Sequence, residues 1–508
     1  MKNTTHLILG MLALTFGMEA KAQIQLPSVF SDGMVLQQNS KVAVWGWGKS
    51  SETLMILSGW NPGDTVRTVV DNQGRWKAEV PTGRTGGPYT LEVKGGNDSW
   101  KVSDVMLGEV WLCSGQSNME WSADMGIMNG EQEVKQAACP SVRIFHNPKQ
   151  GADTPQTDCR TKWEVATPES MCKTSATAYF FARYLTEHLK VPVGILVSAW
   201  GGTPAEVWTP AEIVEKDEIL SKNKLKDYPW WPIKPGVLYN QMIHPLVPYQ
   251  IAGCIWYQGE SNHENAPSYA RLVSKMVEAW RKDFGWDLPF YYVQIAPHTY
   301  GAKNNTPALL REQQELMLGQ VKNTAMINIS DLVENVKDIH PRNKRAIGER
   351  LACLAMDKVY GQFTGAYESP RLYEARVVKR NLEVTLEGNF KTLHSTTKEV
   401  TGLTVVDGTG KQVAVNAHLK DKTLQIPLRG LKAPYQVYYC FDEATIGRSP
   451  YRCGYAGASI PYSKNRSEMR KWLCMLVCCL SVYVQAQVWT LKRKSRLLPA
   501  HGGVSVIR

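Results

Sequence analysis

Long hydrophobic runs are scarce in this chain of 508 residues. The apolar run at residues 472–484 has thirteen residues, whereas a helix needs about 20 to span a bilayer. The mean hydropathy of −0.29 argues against a polytopic membrane protein, and we expect no stable membrane insertion. A composition with 43% hydrophobic and 21% charged residues excludes a disordered chain. Length alone predicts about three domains at roughly 150 residues each.

Motifs for metals and cofactors are also missing. The eleven cysteines form no CxxC pair and no zinc-ligand spacing, and no H-E-x-x-H motif is present. We therefore predict no metal and no cofactor. In an oxidising compartment Cys159 and Cys172 could form a disulfide across a short loop. Cys113, Cys254 and Cys353 lie in apolar runs and are predicted to be buried free thiols.

A strong basic charge is absent from the body of the chain. The net charge of the whole sequence is +11, of which residues 462–508 carry +8 and residues 1–22 carry +1. Residues 23–461 therefore carry only +2. Nucleic-acid binding depends on basic side chains that neutralise phosphates, so we predict no nucleic-acid partner. The sequence carries no signal for an oligomeric state.

Both ends of the chain resemble export signals. Residues 1–22 have a basic start, a short apolar core and an Ala20-Lys21-Ala22 cleavage site, which predicts a signal peptide and a periplasmic or extracellular protein. The same pattern recurs at residues 469–487. We interpret residues 449–508 as an atypical tail, produced by a frameshift or a gene fusion. The alternative is a genuine tail helix or membrane anchor.

Between the two ends, the sequence pattern changes twice. Residues 23–104 and 366–448 show short alternating runs separated by turn signals, which is typical of β structure. In residues 105–365, apolar runs alternate with helical segments and predict a parallel sheet covered on both faces. The predicted strands are residues 110–113, 193–198, 251–257, 290–295 and 325–329, and the predicted helices are residues 176–189, 269–282, 309–318 and 343–359.

A serine follows the first of these strands. Ser117 lies in Gly115-Gln116-Ser117-Asn118, where a sharp strand-to-helix turn would expose its hydroxyl at the edge of the sheet. A serine needs a base to become a nucleophile. His340 is the first candidate, because Asp338 lies two residues before it and can hold one ring nitrogen on the same side of an extended segment. His263 and His298 also follow strands and remain alternatives. Ser117 could equally be an ordinary helix N-cap.

Two further strand ends carry hydrogen-bond donors. Gly201-Gly202 permits an exposed backbone N–H, and Asn262, in Gly259-Glu260-Ser261-Asn262, can donate from its amide. Each could be an ordinary turn residue. Ligands of parallel sheets bind at the carboxyl ends of the strands, so we expect these residues to lie together.

These motifs, in this order, resemble the SGNH (GDSL-like) hydrolases and, in particular, the sialate O-acetylesterase family. The resemblance covers residues 26–444 and includes residues 26–37, 108–111 and 239–246. It implies an α/β fold: a three-layer α/β/α parallel-sheet hydrolase domain, flanked by N- and C-terminal β-sandwich-like regions. It also implies a secreted esterase that removes O-acetyl groups from carbohydrates, most simply 9-O-acetylated sialic acids. Alternatives are an esterase of acetylated hemicellulose, a lipase or general carboxylesterase, and a carbohydrate-binding protein without activity.

The resemblance assigns roles to five residues. It implies that Ser117 is the nucleophile, His340 the general base and acid, and Asp338 the residue that orients His340. The backbone N–H groups of Ser117 and Gly202 and the side chain of Asn262 would form the oxyanion hole.

Other residues beside these motifs are candidates for substrate binding. Gln116, Asn118 and Glu260 would position the substrate or brace the loops. Indole rings can stack on sugars or simply pack. The tryptophans predicted to lie on loops beside the strand ends are Trp121, Trp200, Trp208, Trp230 and Trp231. Of these, Trp200 is the one that we predict to bind substrate.

Overall fold

A computed structural model describes residues 23–302, 304–362, 367, 370–388, 393–395, 399–445 and 451–453. The predicted signal peptide at residues 1–22 lies outside the described residues. So does the predicted tail at 449–508, apart from residues 451–453. Among the helices that the structure describes, none is long and apolar enough to cross a membrane.

The first part of the chain is a small all-β region. Alternating burial explains its strands: in Arg75–Pro81, for example, Trp76, Ala78 and Val80 are buried and the residues between them are exposed. Its strands are β1 (Val35–Gln37), β2 (Lys41–Trp47), β3 (Thr53–Ser58), β4 (Thr65–Val69), β5 (Arg75–Pro81), β6 (Gly86–Gly95) and β7 (Asp98–Gly115). β2 pairs with β5, while β4, β3, β6 and β7 form an antiparallel sheet to which β1 adds in parallel.

The long strand β7 joins this region to the centre of the molecule. It pairs antiparallel with β6 near its start, and from residue 107 onwards it is almost completely buried. β7 therefore runs through the boundary predicted between residues 104 and 105.

A parallel sheet forms the centre of the molecule. Its further strands are β8 (Cys139–His146), β9 (Trp163–Ala166), β10 (Val193–Ala199), β11 (Gly253–Tyr257), β12 (Phe290–Val293) and β13 (Thr324–Ile327). The order is β13-β12-β11-β7-β10-β8-β9, and every neighbouring pair is parallel except β8 and β9. β10, β11 and β12 are buried along their whole length, as expected for a sheet covered on both faces.

Helices pack on both faces of this sheet. They are α1 (Ser117–Glu120), α2 (Gly130–Lys135), α3 (Pro168–Lys173), α4 (Ala176–Leu189), α5 (Ala211–Glu215), α6 (Tyr269–Phe284), α7 (Thr306–Gln320) and α8 (Lys344–Lys358). Successive residues of β7 point into different cores: Leu112 joins the core that contains Trp280 of α6, and Trp111 joins the core that contains Phe181 of α4 and Leu351 of α8. These layers confirm the predicted three-layer α/β/α fold.

A second antiparallel sheet follows the central domain. Its strands are β14 (Arg371–Val378), β15 (Asn381–Glu387), β16 (Leu393–Ser395), β17 (Val400–Val406), β18 (Gln412–Lys420), β19 (Thr423–Pro427), β20 (Gln436–Tyr439) and β21 (Tyr451–Cys453). They occur in the order β14-β15-β19-β18-β17-β20, with a separate pair β16-β21. Hydrogen bonds from His298 N–H to the Glu443 carbonyl and from Arg311 to the Asp442 carbonyl attach this sheet to the central domain.

The suggested disulfide between Cys159 and Cys172 is wrong, since both residues are free thiols. Their positions explain this. Cys159 is buried in the core on one face of the central sheet, whereas α3, which carries Cys172, packs its buried Met171 into the core on the other face. Cys113 and Cys254 are buried free thiols as predicted, and Cys353 is partly buried and forms no disulfide within the described part of the chain.

Candidate active site

The predicted motifs meet at one edge of the central sheet. Ser117 begins α1 directly after β7, Gly202 follows β10, and Asn262 follows β11. The segment with Asp338 and His340 follows β13. These four strands are parallel, so their carboxyl ends lie at the same edge.

Ser117 and His340 are within hydrogen-bonding distance of each other. The distance from Ser117 Oγ to His340 Nε2 is 3.0 Å, and both side chains line the same cavity. The turn that presents Ser117 depends on Gly115, which has φ +141° and lies against β11. A Cβ at this position would be 2.2 Å from the Tyr257 carbonyl oxygen. The local backbone thus requires glycine two residues before the serine.

Asp338 lies on the other side of the imidazole. Its Oδ1 accepts a hydrogen bond of 3.0 Å from the His340 backbone N–H and is 3.6 Å from His340 Nδ1. The second distance is longer than a hydrogen bond. Asp338 Oδ2 accepts a hydrogen bond of 2.8 Å from Arg342 Nε. Burial disfavours the charged carboxylate, but the hydrogen bonds from His340 and Arg342 outweigh it and lower the pKa of Asp338.

The imidazole of His340 is held in its neutral form. Burial, reinforced by the positive charge of Lys344, lowers the pKa of His340 to about 4, although the charge of Asp338 acts in the opposite direction. The Trp121 ring stacks on the imidazole with 3.9 Å between ring centroids. A neutral imidazole beside a serine hydroxyl can accept its proton, which is the requirement for a general base.

Two backbone N–H groups are free at the site. Among the hydrogen bonds of the described residues, neither Ser117 N–H nor Gly202 N–H has a protein acceptor. The neighbouring Gly201 N–H donates to the Glu120 carboxylate. Gly202 has φ +78°, and a Cβ there would lie 2.2 Å from the ring of Trp231. Free amides of this kind can bind a developing negative charge.

Asn262 is held by a buried network. Its Oδ1 accepts hydrogen bonds from Ala205 N–H at 2.9 Å and from Gln258 Nε2 at 2.7 Å, and its Nδ2 donates to Glu206 Oε2 at 2.8 Å. Asn262 is only 1% exposed and is not among the residues that line the cavity. Burial raises the pKa of Glu206, although hydrogen bonds from Asn223 and Asn262 oppose the rise. The second N–H of the Asn262 side-chain amide takes part in none of these hydrogen bonds.

Gln116, Asn118 and Glu260, which were predicted to bind substrate or brace the loops, form hydrogen bonds that link the loops of the site. Gln116 Oε1 accepts hydrogen bonds of 3.3 Å from the N–H groups of Gly259 and Ser261. Asn118 is fully buried and donates to Glu260 Oε1 at 2.7 Å and to a backbone carbonyl oxygen, that of residue 339, at 3.1 Å. Asn118 therefore connects the turn after β11 to the segment that carries His340. Gln116 and Glu260 also line the cavity, but Asn118 does not.

The cavity around Ser117 has a volume of about 440 Å³ and aromatic walls. Of the five predicted tryptophans, Trp121 and Trp231 line it. Trp208 is fully buried against Trp256, so it cannot stack on a ligand. Trp200 packs against the core and is not among the residues that line the cavity, so its role in substrate binding stays a prediction.

Comparisons with known proteins identify the family. A family model described as "Carbohydrate esterase, sialic acid-specific acetylesterase" matches residues 107–357. The crystal structure of a carbohydrate acetylesterase from Xanthomonas citri is 33% identical, with a TM-score of 0.74, over 83% of this chain and 94% of that one. The chain belongs to the sialate O-acetylesterase family. Human sialate O-acetylesterase is 29% identical over 405 residues, which are 72% of this chain and 77% of the human protein. Membership makes this protein a carboxylic ester hydrolase of the carbohydrate esterase type.

Sequence reasoning missed three charged residues of this family member's site. Arg342 holds Asp338, Glu206 holds Asn262, and Lys344 donates a hydrogen bond of 2.6 Å to Asn118 Oδ1 while completely buried. Arg342 could have been found, because it lies four residues after Asp338. Glu206 and Lys344 have no comparable spacing from a predicted site residue. The sequence around each is typical of an ordinary loop or the start of a helix. Burial lowers the pKa of Lys344 to about 7.

Proposed function

We propose that this chain is an exported serine esterase that removes O-acetyl groups from carbohydrates, with 9-O-acetylated sialic acids as the first candidate substrate. One observation carries the proposal: Ser117 Oγ lies 3.0 Å from Nε2 of a neutral imidazole, inside a cavity. Family membership supplies the reaction class, namely carbohydrate ester hydrolysis.

The proposed reaction begins with acylation of Ser117. Its Oγ attacks the acetyl carbonyl carbon while its proton passes to His340 Nε2. The carbonyl oxygen becomes an oxyanion, which the N–H groups of Ser117 and Gly202 and the remaining N–H of Asn262 stabilise. The bond between the acetyl carbon and the sugar oxygen then breaks, and His340 returns the proton to that oxygen.

Deacylation repeats these steps with water. His340 takes a proton from water, the resulting hydroxide attacks the acetyl-enzyme, and acetate leaves as Ser117 regains its proton. Asp338 stabilises the imidazolium that forms in both steps. The 3.6 Å separation between Asp338 Oδ1 and His340 Nδ1 is compatible with this role, because catalytic hydrogen bonds often tighten only when substrate is bound.

Two other ester classes are the competing substrates. The Xanthomonas citri structure is that of a carbohydrate acetylesterase, which leaves acetylated hemicellulose as a second candidate. A general carboxylesterase would accept longer acyl chains. Profiling with 4-nitrophenyl esters separates the last class: we expect acetate esters to be preferred, and a preference for long chains would contradict the proposal.

Export is proposed from the sequence of residues 1–22 alone. We expect the protein recovered from the periplasm or the culture medium to begin at Gln23. N-terminal sequencing of that protein tests the cleavage site, and recovery of an intact Met1 would contradict it.

The Ser117→Ala variant of the full chain tests the chemistry. Acetate release is measured from 9-O-acetylated sialic acid and from acetylated xylan, and we expect the variant to lose it and to form no acetyl-enzyme by mass spectrometry. Ser114→Ala is the matched control, because the Ser114 hydroxyl is fully buried on β7 and has no hydrogen-bond partner among the described residues. If Ser117→Ala kept most of the activity, the proposed mechanism would be wrong.

A further inference from the structure

Three aromatic rings adjoin the cavity and take no part in the chemistry described above. Tyr228 and Trp231 have ring centroids 4.5 Å apart, and Trp230 lies 5.3 Å from Tyr228 and 5.4 Å from Trp231. We call these three residues the aromatic platform. Tyr228 and Trp231 line the cavity, while Trp230 is 61% exposed. Trp230 is the most exposed tryptophan in the part of the chain that the structure describes.

The platform begins directly beside the ester site. The Trp231 ring lies so close to Gly202 that a Cβ on this glycine would be 2.2 Å from it. Gly202 supplies one of the two free N–H groups proposed to bind the oxyanion. A molecule whose acetyl group reaches Ser117 therefore has the platform as its neighbour, and the platform continues outward from the cavity to Trp230.

The segment that carries the platform is fixed at its base. Asn223 donates a hydrogen bond of 2.8 Å to Glu206, which also holds Asn262. The next residue, Lys224, is bound through its N–H and its carbonyl to the side chain of Asn265 at 3.3 and 2.9 Å. The segment that leads to the platform is thus held by the same buried carboxylate as the candidate oxyanion hole.

The chemistry of the platform and its surroundings fits a sugar ring. A pyranose has an apolar C–H face that can cover an indole, and hydroxyl groups at its edge that need polar neighbours. Lys226 and Glu264 line the cavity beside the platform and are paired at 2.7 Å, so they offer both a donor and an acceptor without net charge. A long acyl chain would need an enclosed apolar channel, and three rings are too small a surface for a stable protein interface.

We infer that Tyr228, Trp230 and Trp231 form a subsite for the sugar next to the acetylated one. The inference rests on the proposed function and deepens it. The substrate class it names is an acetyl ester on an oligosaccharide or polysaccharide chain, in preference to a free acetylated monosaccharide.

Kinetics on matched substrates test this subsite. Acetate release is measured for the full chain and for Trp230→Ala and Trp230→Phe, using acetylated xylose against acetylated xylotetraose and O-acetylated sialic acid against its lactoside. We expect at least one of the two chain substrates to be preferred over its monosaccharide. For that pair, Trp230→Ala should raise KM for the chain about tenfold more than KM for the monosaccharide, with little change in kcat. Trp230→Phe should recover part of the difference.

Trp100→Ala is the matched control. Trp100 is also partly exposed, at 37%, but lies on β7 in the N-terminal β region and does not line the cavity. Equal effects of Trp230→Ala on chain and monosaccharide, or no preference of the wild type for either chain, would overturn the subsite. Failure of the proposed function gives a different result, because the wild type would then release no acetate from any of the four carbohydrate esters, whatever its activity on 4-nitrophenyl acetate.

Discussion

The depressed pKa of His340 predicts an esterase that stays active in mild acid. An ordinary histidine has a pKa near 6.5, so only about 9% would be neutral at about pH 5.5, against about 91% at about pH 7.5. With the pKa of His340 at about 4, about 97% remains neutral at about pH 5.5. Since only the neutral imidazole can accept the Ser117 proton, kcat/KM should be nearly equal at the two pH values instead of falling about tenfold.

The measurement is kcat/KM for acetate release between about pH 3.5 and pH 8. Because an unfolded chain binds protons to histidine below about pH 6.5 and the folded chain resists this until about pH 4, acid also weakens the fold. Circular dichroism at each pH therefore accompanies the assay. A tenfold loss of kcat/KM between about pH 7.5 and pH 5.5, in protein that is still folded, would refute the reasoning.

A Lys344→Met variant tests the cause of the shift. After burial, the charge of Lys344 is the next cause of the low His340 pKa, with smaller contributions from Arg342 and His298 and an opposing one from Asp338. Removal of the Lys344 charge should move the acid limb of the profile to higher pH. Lys344→Arg keeps the charge and should leave the acid limb where it is.

Three further predictions concern single substitutions. Asn262→Ala should lower kcat by about 10²–10³ in acetate-release assays, as for loss of one oxyanion donor, whereas an unchanged kcat would remove Asn262 from the site. Arg342→Ala should lower kcat about tenfold, because it frees Asp338; this corresponds to an increase of about 1.4 kcal/mol in the activation free energy. The control is Arg376→Ala, which alters only an exposed ion pair in the C-terminal sheet. Trp208→Ala should lower the free energy of unfolding by about 3–5 kcal/mol in chemical denaturation, since Trp208 is fully buried, and a loss below about 1 kcal/mol would contradict its place in the core.

The pattern of apolar residues was enough to predict most of the central domain. The helix predicted at residues 176–189 is α4 without change, and the strand predicted at 193–198 is β10 with one residue added. These segments are long and strongly patterned, so tertiary contacts did not alter them. The strand β8 was missed because Arg143 interrupts its apolar run. Arg143 is buried there through its ion pair with Asp104 and its hydrogen bond to the Gly33 carbonyl, and a single sequence cannot reveal either partner.

Site residues could be predicted where each one directly follows a strand of the central sheet. They could not be predicted where a contact depends on two segments that are distant in the sequence. Ser117, Gly202 and Asn262 each follow their own strand, and the topology brings them together. The charges around them come from elsewhere: Glu206 lies after β10 and holds Asn262 after β11, and Lys344 begins α8 yet binds Asn118 in α1. These contacts depend on how loops fold over the sheet, which periodicity does not encode.

The position of His340 shows why this second set of contacts matters. In the sheet order, β13 is separated from β7 by β12 and β11, so the segment after β13 must return across two strand ends to reach Ser117. Hydrogen bonds between the segment and the residues that follow β7 hold it there. Asn118 bonds the carbonyl of residue 339, and Arg342 donates to the carbonyls of Met125 and Gly126. Together with the stacking of Trp121 on the imidazole, these hydrogen bonds keep His340 Nε2 3.0 Å from Ser117 Oγ. The proposed reaction therefore depends on these bracing contacts as well as on the serine and the histidine.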